Sequence, residues 1–193
     1  VMDGGGKTLV KKAYAYGGPK SCHLVRMQQQ VSENDDAVTE WSYDVYGNVS
    51  GVTLPANSKG ERVSYTYEYE RERNMYVKEI MDNFGLYTRF RDFDYSYGMP
   101  LEREDCNGFT TKMEIDGLGR ITKITGPNEL SDERIPFTLE YEYSPAGLKA
   151  YAVTRRYDSR HFNQNGNGDY IESTVFVDGF GRMIQRKEDG VLS

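Results

Sequence analysis

Arg62-Val63-Ser64-Tyr65-Thr66-Tyr67-Glu68-Tyr69-Glu70 alternates apolar and polar residues without a break. Successive strand side chains point to opposite faces, so Val63, Tyr65, Tyr67 and Tyr69 share one face. Arg62, Ser64, Thr66, Glu68 and Glu70 share the other. The stretch predicts a half-buried strand, packed on one side and wet on the other. Phe137-Thr138-Leu139-Glu140-Tyr141-Glu142-Tyr143 repeats the pattern, and Phe93, Tyr95 and Tyr97 give a shorter instance. Residues 23–31 carry Leu24, Val25, Met27 and Val31. Their three glutamines permit a helix, but their neighbours read as strands and they are assigned likewise.

Between such stretches an Asp-x-x-Gly unit recurs. The copies are Asp3 with Gly6, Asp44 with Gly47, Asp82 with Gly85, Asp105 with Gly108, Asp116 with Gly119, and Asp178 with Gly181. Ser144 with Gly147 is a degenerate copy. The aspartate is expected to accept hydrogen bonds from backbone N–H groups two or three residues on. The glycine supplies a positive φ, which closes a tight hairpin with a bulge. Arg120 and Arg182 follow two of these turns and are expected to bridge neighbouring turns. The copies are irregularly spaced, which excludes a strict solenoid. Strands are expected near 7–15, 22–31, 38–43, 48–54, 62–70, 75–81, 86–95, 99–104, 109–115, 120–125, 136–143, 148–158, 170–177 and 182–188. Residues 127–133 read as the most loop-like interior stretch. Asn163-Gln164-Asn165-Gly166-Asn167-Gly168 reads as the tip of a long hairpin. No linker exceeds about a dozen residues, so residues 1–193 are read as one all-β domain. The fold class is an irregular array of antiparallel β-hairpins forming a curved sheet. The pattern runs to both ends, so the chain reads as a fragment of something longer.

Composition agrees. Among 193 residues there are 16 Tyr against 8 Phe and 1 Trp, with 20 Gly and 6 Pro. Tyrosine favours strands and glycine punctuates turns. The net charge of −6 argues against general nucleic-acid binding, which draws its affinity from clustered positive charge. No run approaches the length of a membrane span, and the first residues lack the pattern of a signal peptide. Cys22 and Cys106 are too few for a disulfide scaffold and leave open whether they are free or paired.

Each possible chemical site in the sequence also has a plainer reading. Gly4-Gly5-Gly6-Lys7-Thr8 resembles the end of a phosphate loop, but Val1 stands where the first glycine belongs. Asn163, Asn165, Asn167, Gly168 and Asp169 have the spacing of a calcium loop with a single carboxylate, too little charge for Ca²⁺. His23 and His161, with the cysteines, form no metal spacing. Glu68 and Glu70, and Glu140 and Glu142, each share a strand face. Their Cβ atoms stand about 6.5–7 Å apart, a separation some glycosidases use, yet a solvated polar face explains them too. Tyr65, Tyr67, Tyr69, Tyr141 and Tyr143 form an aromatic face on which sugars could stack. Asn48-Val49-Ser50 is a glycosylation sequon, a signal that carries weight only in a glycosylating host.

Tyr43-Asp44-Val45-Tyr46-Gly47-Asn48-Val49 resembles a YD repeat of the Rhs proteins. Ile115-Asp116-Gly117-Leu118-Gly119-Arg120-Ile121 is a second match. Phe176-Val177-Asp178-Gly179-Phe180-Gly181-Arg182-Met183-Ile184-Gln185-Arg186-Lys187, preceded by Thr154-Arg155-Arg156-Tyr157-Asp158, resembles the Rhs-related stretch of insecticidal Tc toxin B components. The resemblance implies hairpin strips that spiral into a hollow shell around a C-terminal toxic polypeptide. Related animal proteins of the teneurin type use a similar barrel in cell-surface adhesion. It implies no enzymatic activity apart from self-cleavage in the family. Tyr143-Ser144-Pro145-Ala146-Gly147-Leu148 has Ser where the self-cleaving motif has Asp. The expectations that follow are a non-catalytic shell segment without cofactor or metal, secreted or on a bacterial surface. Its partners would be flanking shell and effector segments of the same polypeptide, with no nucleic acid and no membrane insertion. The alternative is an adhesion module binding carbohydrate or protein. A glycoside-cleaving enzyme would need two close carboxylates, one with a raised pKa.

Overall fold

The computed structural model describes residues 11–18, 21–32, 35–132, 135–144, 150–162 and 168–189. The Asp3 and Gly6 turn, the glycine-rich start, Gly147 with its Pro145-Ala146 neighbours, and the 163–167 hairpin tip lie outside the described residues. So does the side chain of His161. The chain divides into two compact units, Val1–Phe90 and Arg91–Ser193.

The first unit is an antiparallel meander. Its strands are β1 (Lys12–Tyr16), β2 (Leu24–Gln30), β3 (Asp36–Tyr43), β4 (Val49–Thr53), β5 (Ser64–Tyr69), β6 (Val77–Asp82) and the start of β7 (Tyr87–Asp94). Each pairs with the next in sequence. The register puts Trp41 opposite Val52 and Val52 opposite Tyr65, with Tyr67 opposite Ile80. The alternating pattern thereby assembles one apolar face. On the other face Ser42, Gly51, Thr66 and Met81 form one row, and Glu68, Glu79 and Arg89 another.

The second unit continues the same plan with β8 (Met99–Glu104), β9 (Thr110–Ile115), β10 (Ile121–Thr125), β11 (Leu139–Tyr143), β12 (Ala150–Phe162), β13 (Gly168–Val177) and β14 (Met183–Glu188). These also pair in order, all antiparallel. Met113, Ile124 and Leu139 stand in one row across β9, β10 and β11. Burial is shallow. Phe137 and Val153 keep 8% and 5% of their surface, and no large side chain of the described residues falls below 2%.

The fourteen expected strands are present, with local differences at their ends; residues 7–10 and 148–149, expected as strand, lie outside the described residues. Residues 62–63 precede β5, because Arg62 folds back on earlier strands. Its Nη1 meets Glu40 at 2.6 Å, its Nη2 donates to Val38 O at 2.9 Å, and its Nε donates to Leu54 O at 2.8 Å. Phe137 precedes β11 and packs edge-on against Tyr157, with ring centroids 6.4 Å apart. Tyr95 and Tyr97 belong to a turn rather than extending β7.

Residues 127–133, expected as loop, contain one turn of helix, α1 (Pro127–Leu130). Proline presets the backbone at the first helical position, where no N–H is needed. Leu130 N donates to Gly126 O at 2.9 Å. The Thr138 hydroxyl accepts from Gly126 N and donates to Glu129 Oε2, both at 2.7 Å, which fixes the turn to the following strand.

Candidate functional site

The recurring feature of both units is the acidic hairpin turn. In the Asp44 turn, Oδ1 accepts from Tyr46 N at 2.9 Å and from Asn48 N at 2.8 Å. Gly47 N donates to Asp44 O at 3.2 Å, and Asp44 N donates to Asn48 O at 2.9 Å. Gly47 sits at φ +89°. One aspartate thus engages the backbone of residues two, three and four further on. The side chain reaches the second and fourth, and the main-chain carbonyl takes the third. The expected reach of two or three residues is corrected accordingly: a carboxylate oxygen held inside the loop faces the alternate N–H groups.

The other described copies share this geometry. Asp82 Oδ1 accepts from Phe84 N and Leu86 N, both at 2.9 Å. Asp105 Oδ1 accepts from Asn107 N and Phe109 N, both at 2.9 Å. Asp116 Oδ1 accepts from Leu118 N at 2.9 Å and Arg120 N at 3.0 Å. Asp178 Oδ1 accepts from Phe180 N and Arg182 N, both at 2.9 Å. Gly85, Gly108, Gly119 and Gly181 all have positive φ.

The fifth residue of the turn decides what becomes of the second carboxylate oxygen. Arg120 Nε and Nη2 lie 2.7 and 2.6 Å from Asp116 Oδ2. Arg182 Nε and Nη2 both lie 2.7 Å from Asp178 Oδ2. The two arginines therefore close their own turns instead of bridging neighbouring ones, because the i,i+4 spacing already brings the guanidinium onto the carboxylate. In the Asp44 turn Asn48 Nδ2 takes that place, donating to Oδ2 at 3.0 Å and to Asn74 O at 2.7 Å. Leu86 and Phe109, apolar, stand there in the Asp82 and Asp105 turns.

These contacts set the acidity of the carboxyls. The side-chain hydrogen bond of Arg120, then the Arg120 and Leu118 N–H groups, hold Asp116 below the usual carboxylate range. The Arg182 N–H, then its side chain, do the same for Asp178. Burial raises Asp44, but Asn48 and the N–H groups of Asn48, Tyr46 and Gly47 outweigh it, and its pKa is lowered.

One turn of the same geometry has no aspartate. Asn57 Oδ1 accepts from Lys59 N at 2.9 Å and Glu61 N at 3.1 Å, with Gly60 at φ +83°. The geometry requires an Oδ1 and a glycine, not a charge, so Asn-x-x-Gly was the signal to seek. Two longer turns are variants. Asp94 Oδ1 accepts from Ser96 N and Tyr97 N at 2.8 and 3.1 Å. Glu70, buried, accepts from Glu72 N at 2.7 Å, Arg73 N at 2.8 Å and Met75 N at 3.2 Å. Burial raises the Glu70 carboxyl, but the surrounding N–H groups win and its pKa is lowered.

Tyrosine hydroxyls tie the hairpins together. Tyr43 donates to Leu24 O at 2.8 Å, Tyr69 to Val49 O at 2.9 Å, and Tyr143 to Ile121 O at 2.9 Å. Each tyrosine ends its strand just before the turn residue, and each acceptor begins the strand before. Burial, followed by nearby negative groups, raises the Tyr69 and Tyr143 phenols. Of the five tyrosines considered for a ligand face, these two therefore hold backbone carbonyls. Tyr65 and Tyr67 lie half-buried on the apolar face of the first unit, and Tyr141 stacks on Tyr143 with centroids 6.5 Å apart.

The carboxylate pairs are also engaged. Glu70 turns into its loop and leaves the face it was expected to share with Glu68. Lys78 Nζ sits 2.9 Å from Glu68, whose pKa is lowered by that hydrogen bond. Arg155 meets Glu142 at 2.7 Å, Glu172 at 3.0 Å and Glu140 at 3.1 Å. Glu142 leads the causes that raise the Arg155 pKa. Such a cluster ties β11, β12 and β13 together and leaves neither glutamate as an isolated acid. Cys22 and Cys106 are free and exposed. His23 stacks on Tyr43 with centroids 4.4 Å apart. Among the described residues no group of three or more His, Cys, Asp and Glu could hold a metal ion, and no helix is long and apolar enough to cross a membrane.

The chain matches no family model and no curated protein. Among solved structures it is similar to a chain in the crystal structure of TcdB2-TccC3, with a TM-score of 0.69 and 13% identity. The match covers 93% of this chain and 12% of that one. A chain of the TcdB2-TccC3-Cdc42 crystal structure is similar at the same TM-score, with 10% identity over 93% of this chain and 15% of the other. The protein thus has the fold of a stretch of these Tc toxin chains. It spans about an eighth of their length.

Proposed function

We propose that residues 1–193 are a run of YD repeats in the wall of an Rhs-type β-shell that encloses or presents a toxin or effector polypeptide. The observation that carries this reading is the repetition of one acid-and-glycine hairpin turn through a meander with the fold of a stretch of Tc toxin chains. The turn carboxylates and the Tyr43, Tyr69 and Tyr143 hydroxyls hold backbone, which suits a scaffold. Shallow burial suits a wall whose faces meet further chain or cargo. On this reading the partners are the flanking shell and the effector within one polypeptide, and the protein is secreted or displayed by a bacterium.

The test uses the complete polypeptide that carries these repeats. It is treated with a nonspecific protease under native conditions, and surviving peptides are mapped by mass spectrometry. A downstream segment that survives, and becomes sensitive when Gly119 and Gly181 are both changed to Val, is the expected result. Immediate digestion of everything downstream overturns encapsulation.

A further inference from the structure

We propose that Asn107 is a site of spontaneous self-modification: the Gly108 backbone nitrogen displaces ammonia from its side chain and leaves an aspartate or isoaspartate in the turn. The inference stands on the chemistry of the turn and does not depend on the shell reading. The reaction needs a side-chain carbonyl free to rotate and a following backbone nitrogen that no side chain shields. Asn48, Asn57 and Asn83 fail the first condition. Asn48 Nδ2 donates to Asp44 Oδ2 and Asn74 O, Asn57 Nδ2 to Glu61, and Asn83 Nδ2 to Arg62 O. Asn74 and Asn128 fail the second, because Met75 and Glu129 follow them. Asn107 is exposed, its side chain holds no hydrogen bond among the described residues, and a glycine follows it. Asn165 and Asn167 also precede glycine and lie outside the described residues.

The Asp105 turn also opens easily. Gly108 N donates to Asp105 O at 2.9 Å, so attack waits on the release of one turn hydrogen bond. A Cβ on Gly108 would have nothing within 4 Å, whereas one on Gly47 would lie 3.2 Å from His23 and one on Gly119 would press on Tyr97. Sparse packing puts a turn at the low end of local stability. Aspartate before glycine can close the same ring, and Asp116-Gly117 and Asp178-Gly179 have that sequence. Their carboxylates are held on both oxygens, by two backbone N–H groups and by Arg120 or Arg182. Those contacts lower both pKa values and keep the carboxylates ionised, the form that resists attack. The surroundings of Gly181 are as open as those of Gly108, so the locked carboxylate rather than packing separates the Asp178 turn from Asn107.

The step balances without an external reagent except water. A bond forms between Gly108 N and Asn107 Cγ as the Cγ–Nδ2 bond breaks. The Gly108 amide proton leaves with Nδ2 as ammonia. Water then opens the cyclic imide. Opening at the side-chain carbonyl restores the main chain and leaves aspartate at position 107. Opening at the main-chain carbonyl leaves isoaspartate, which routes the chain through the side chain and adds a methylene to it. Asn107 N and Phe109 N now share Asp105 Oδ1, both at 2.9 Å. The added carbon pulls these two donors apart, so isoaspartate breaks the turn between β8 and β9.

The test incubates the full 193-residue chain, folded, in mildly alkaline buffer beside a synthetic peptide of residues 104–112. Both are then digested in mild acid and mapped by mass spectrometry, and isoaspartate is counted with a methyltransferase specific for isoaspartyl carboxyls. Position 107 is expected to convert within about tenfold of the peptide's rate, the effect of releasing one turn hydrogen bond. Positions 116 and 178 should yield about tenfold less isoaspartate than position 107, or none, because more hydrogen bonds must break. Asn107→Gln should abolish the product, since the longer side chain closes its ring far more slowly. In the converted chain amide exchange should rise at Phe109 and stay slow at Arg120. A position 107 that keeps its amide while the peptide converts overturns the proposal. Equal isoaspartate at positions 107, 116 and 178 also overturns it, since the locked carboxylates would then give no protection.

Discussion

The Asn57 turn and the Asp116 turn place the same atoms in the same positions. Each holds two backbone N–H groups on one Oδ1, and each has a glycine at positive φ. They differ in what surrounds that frame. Gly60 has open space where a Cβ would be, whereas a Cβ on Gly119 would lie 2.7 Å from Tyr97 Cγ. Asp116 also carries a charge that Arg120 neutralises, while Asn57 Nδ2 donates to Glu61 at 3.0 Å. The turn itself thus needs only an acceptor and a flexible residue. Charge and packing are additions made at particular turns.

The largest effect that sharpens this contrast is at the glycines. Gly60→Val meets only backbone strain and should cost about 1–2 kcal/mol. Gly119→Val adds collision with a ring whose hydroxyl is tied to Gly117 O, and should cost about 3 kcal/mol or more. Urea unfolding of the two variants reads the difference. Equal losses would show that the Tyr97 ring yields and that φ alone matters.

Next come the tyrosine ties. Tyr143→Phe and Tyr69→Phe each leave a backbone carbonyl without its donor and should cost about 1 kcal/mol. Tyr65→Phe should change little, since its ring rather than its hydroxyl makes the apolar row with Trp41 and Val52. Thermal melts of the three variants check the order. A Tyr65 loss matching that of Tyr143 would mean that phenol hydration, not the ties, sets the effect.

Strands were legible because a sheet with one apolar face writes its period directly into the sequence, as in Ser64 to Tyr69. Turns were legible where Asp and Gly stood three apart. The Asn57 turn lies outside the Asp-x-x-Gly pattern because the geometry needs an acceptor and not a charge. Glu70 was read as the end of a strand face because alternation does not show where a strand stops. The tyrosine ties depend on the register between strands, which places Tyr69 beside Val49 twenty residues away. Local pattern does not fix that register. The arginines were read as bridges because spacing shows proximity but not which carboxylate is nearer.

The charge difference between the turns has its own signature in acid. The folded-state pKa values of Asp44, Asp116 and Asp178 are lowered below their unfolded values, about 3.9 for aspartate. Their stabilisation is complete above about pH 4 and is lost as pH falls through the lowered values. Asn57 contributes nothing to that slope. Asp116→Asn with Asp178→Asn should flatten the fall of Tm below about pH 4, and Asn57→Asp should steepen it. Parallel Tm curves for wild type and both variants would assign the acid sensitivity to other carboxylates, such as Glu70.

The smallest effect separates the two arginine-closed turns from each other. Arg120 lies over the Tyr143 ring at 4.4 Å, and that ring is already fixed by its bond to Ile121 O. Arg182 lies over Phe180 at 5.4 Å, on a ring that is itself in water. A cation on an anchored, half-buried ring keeps more of its attraction than one on a solvated ring. Arg120→Gln should therefore lower stability by about 0.5–1 kcal/mol through that contact. Arg182→Gln should leave Tm unchanged, and added salt should not alter the result, since an exposed ion pair contributes little. If the two substitutions cost the same, the ion pair within each turn dominates and the ring beneath it is incidental.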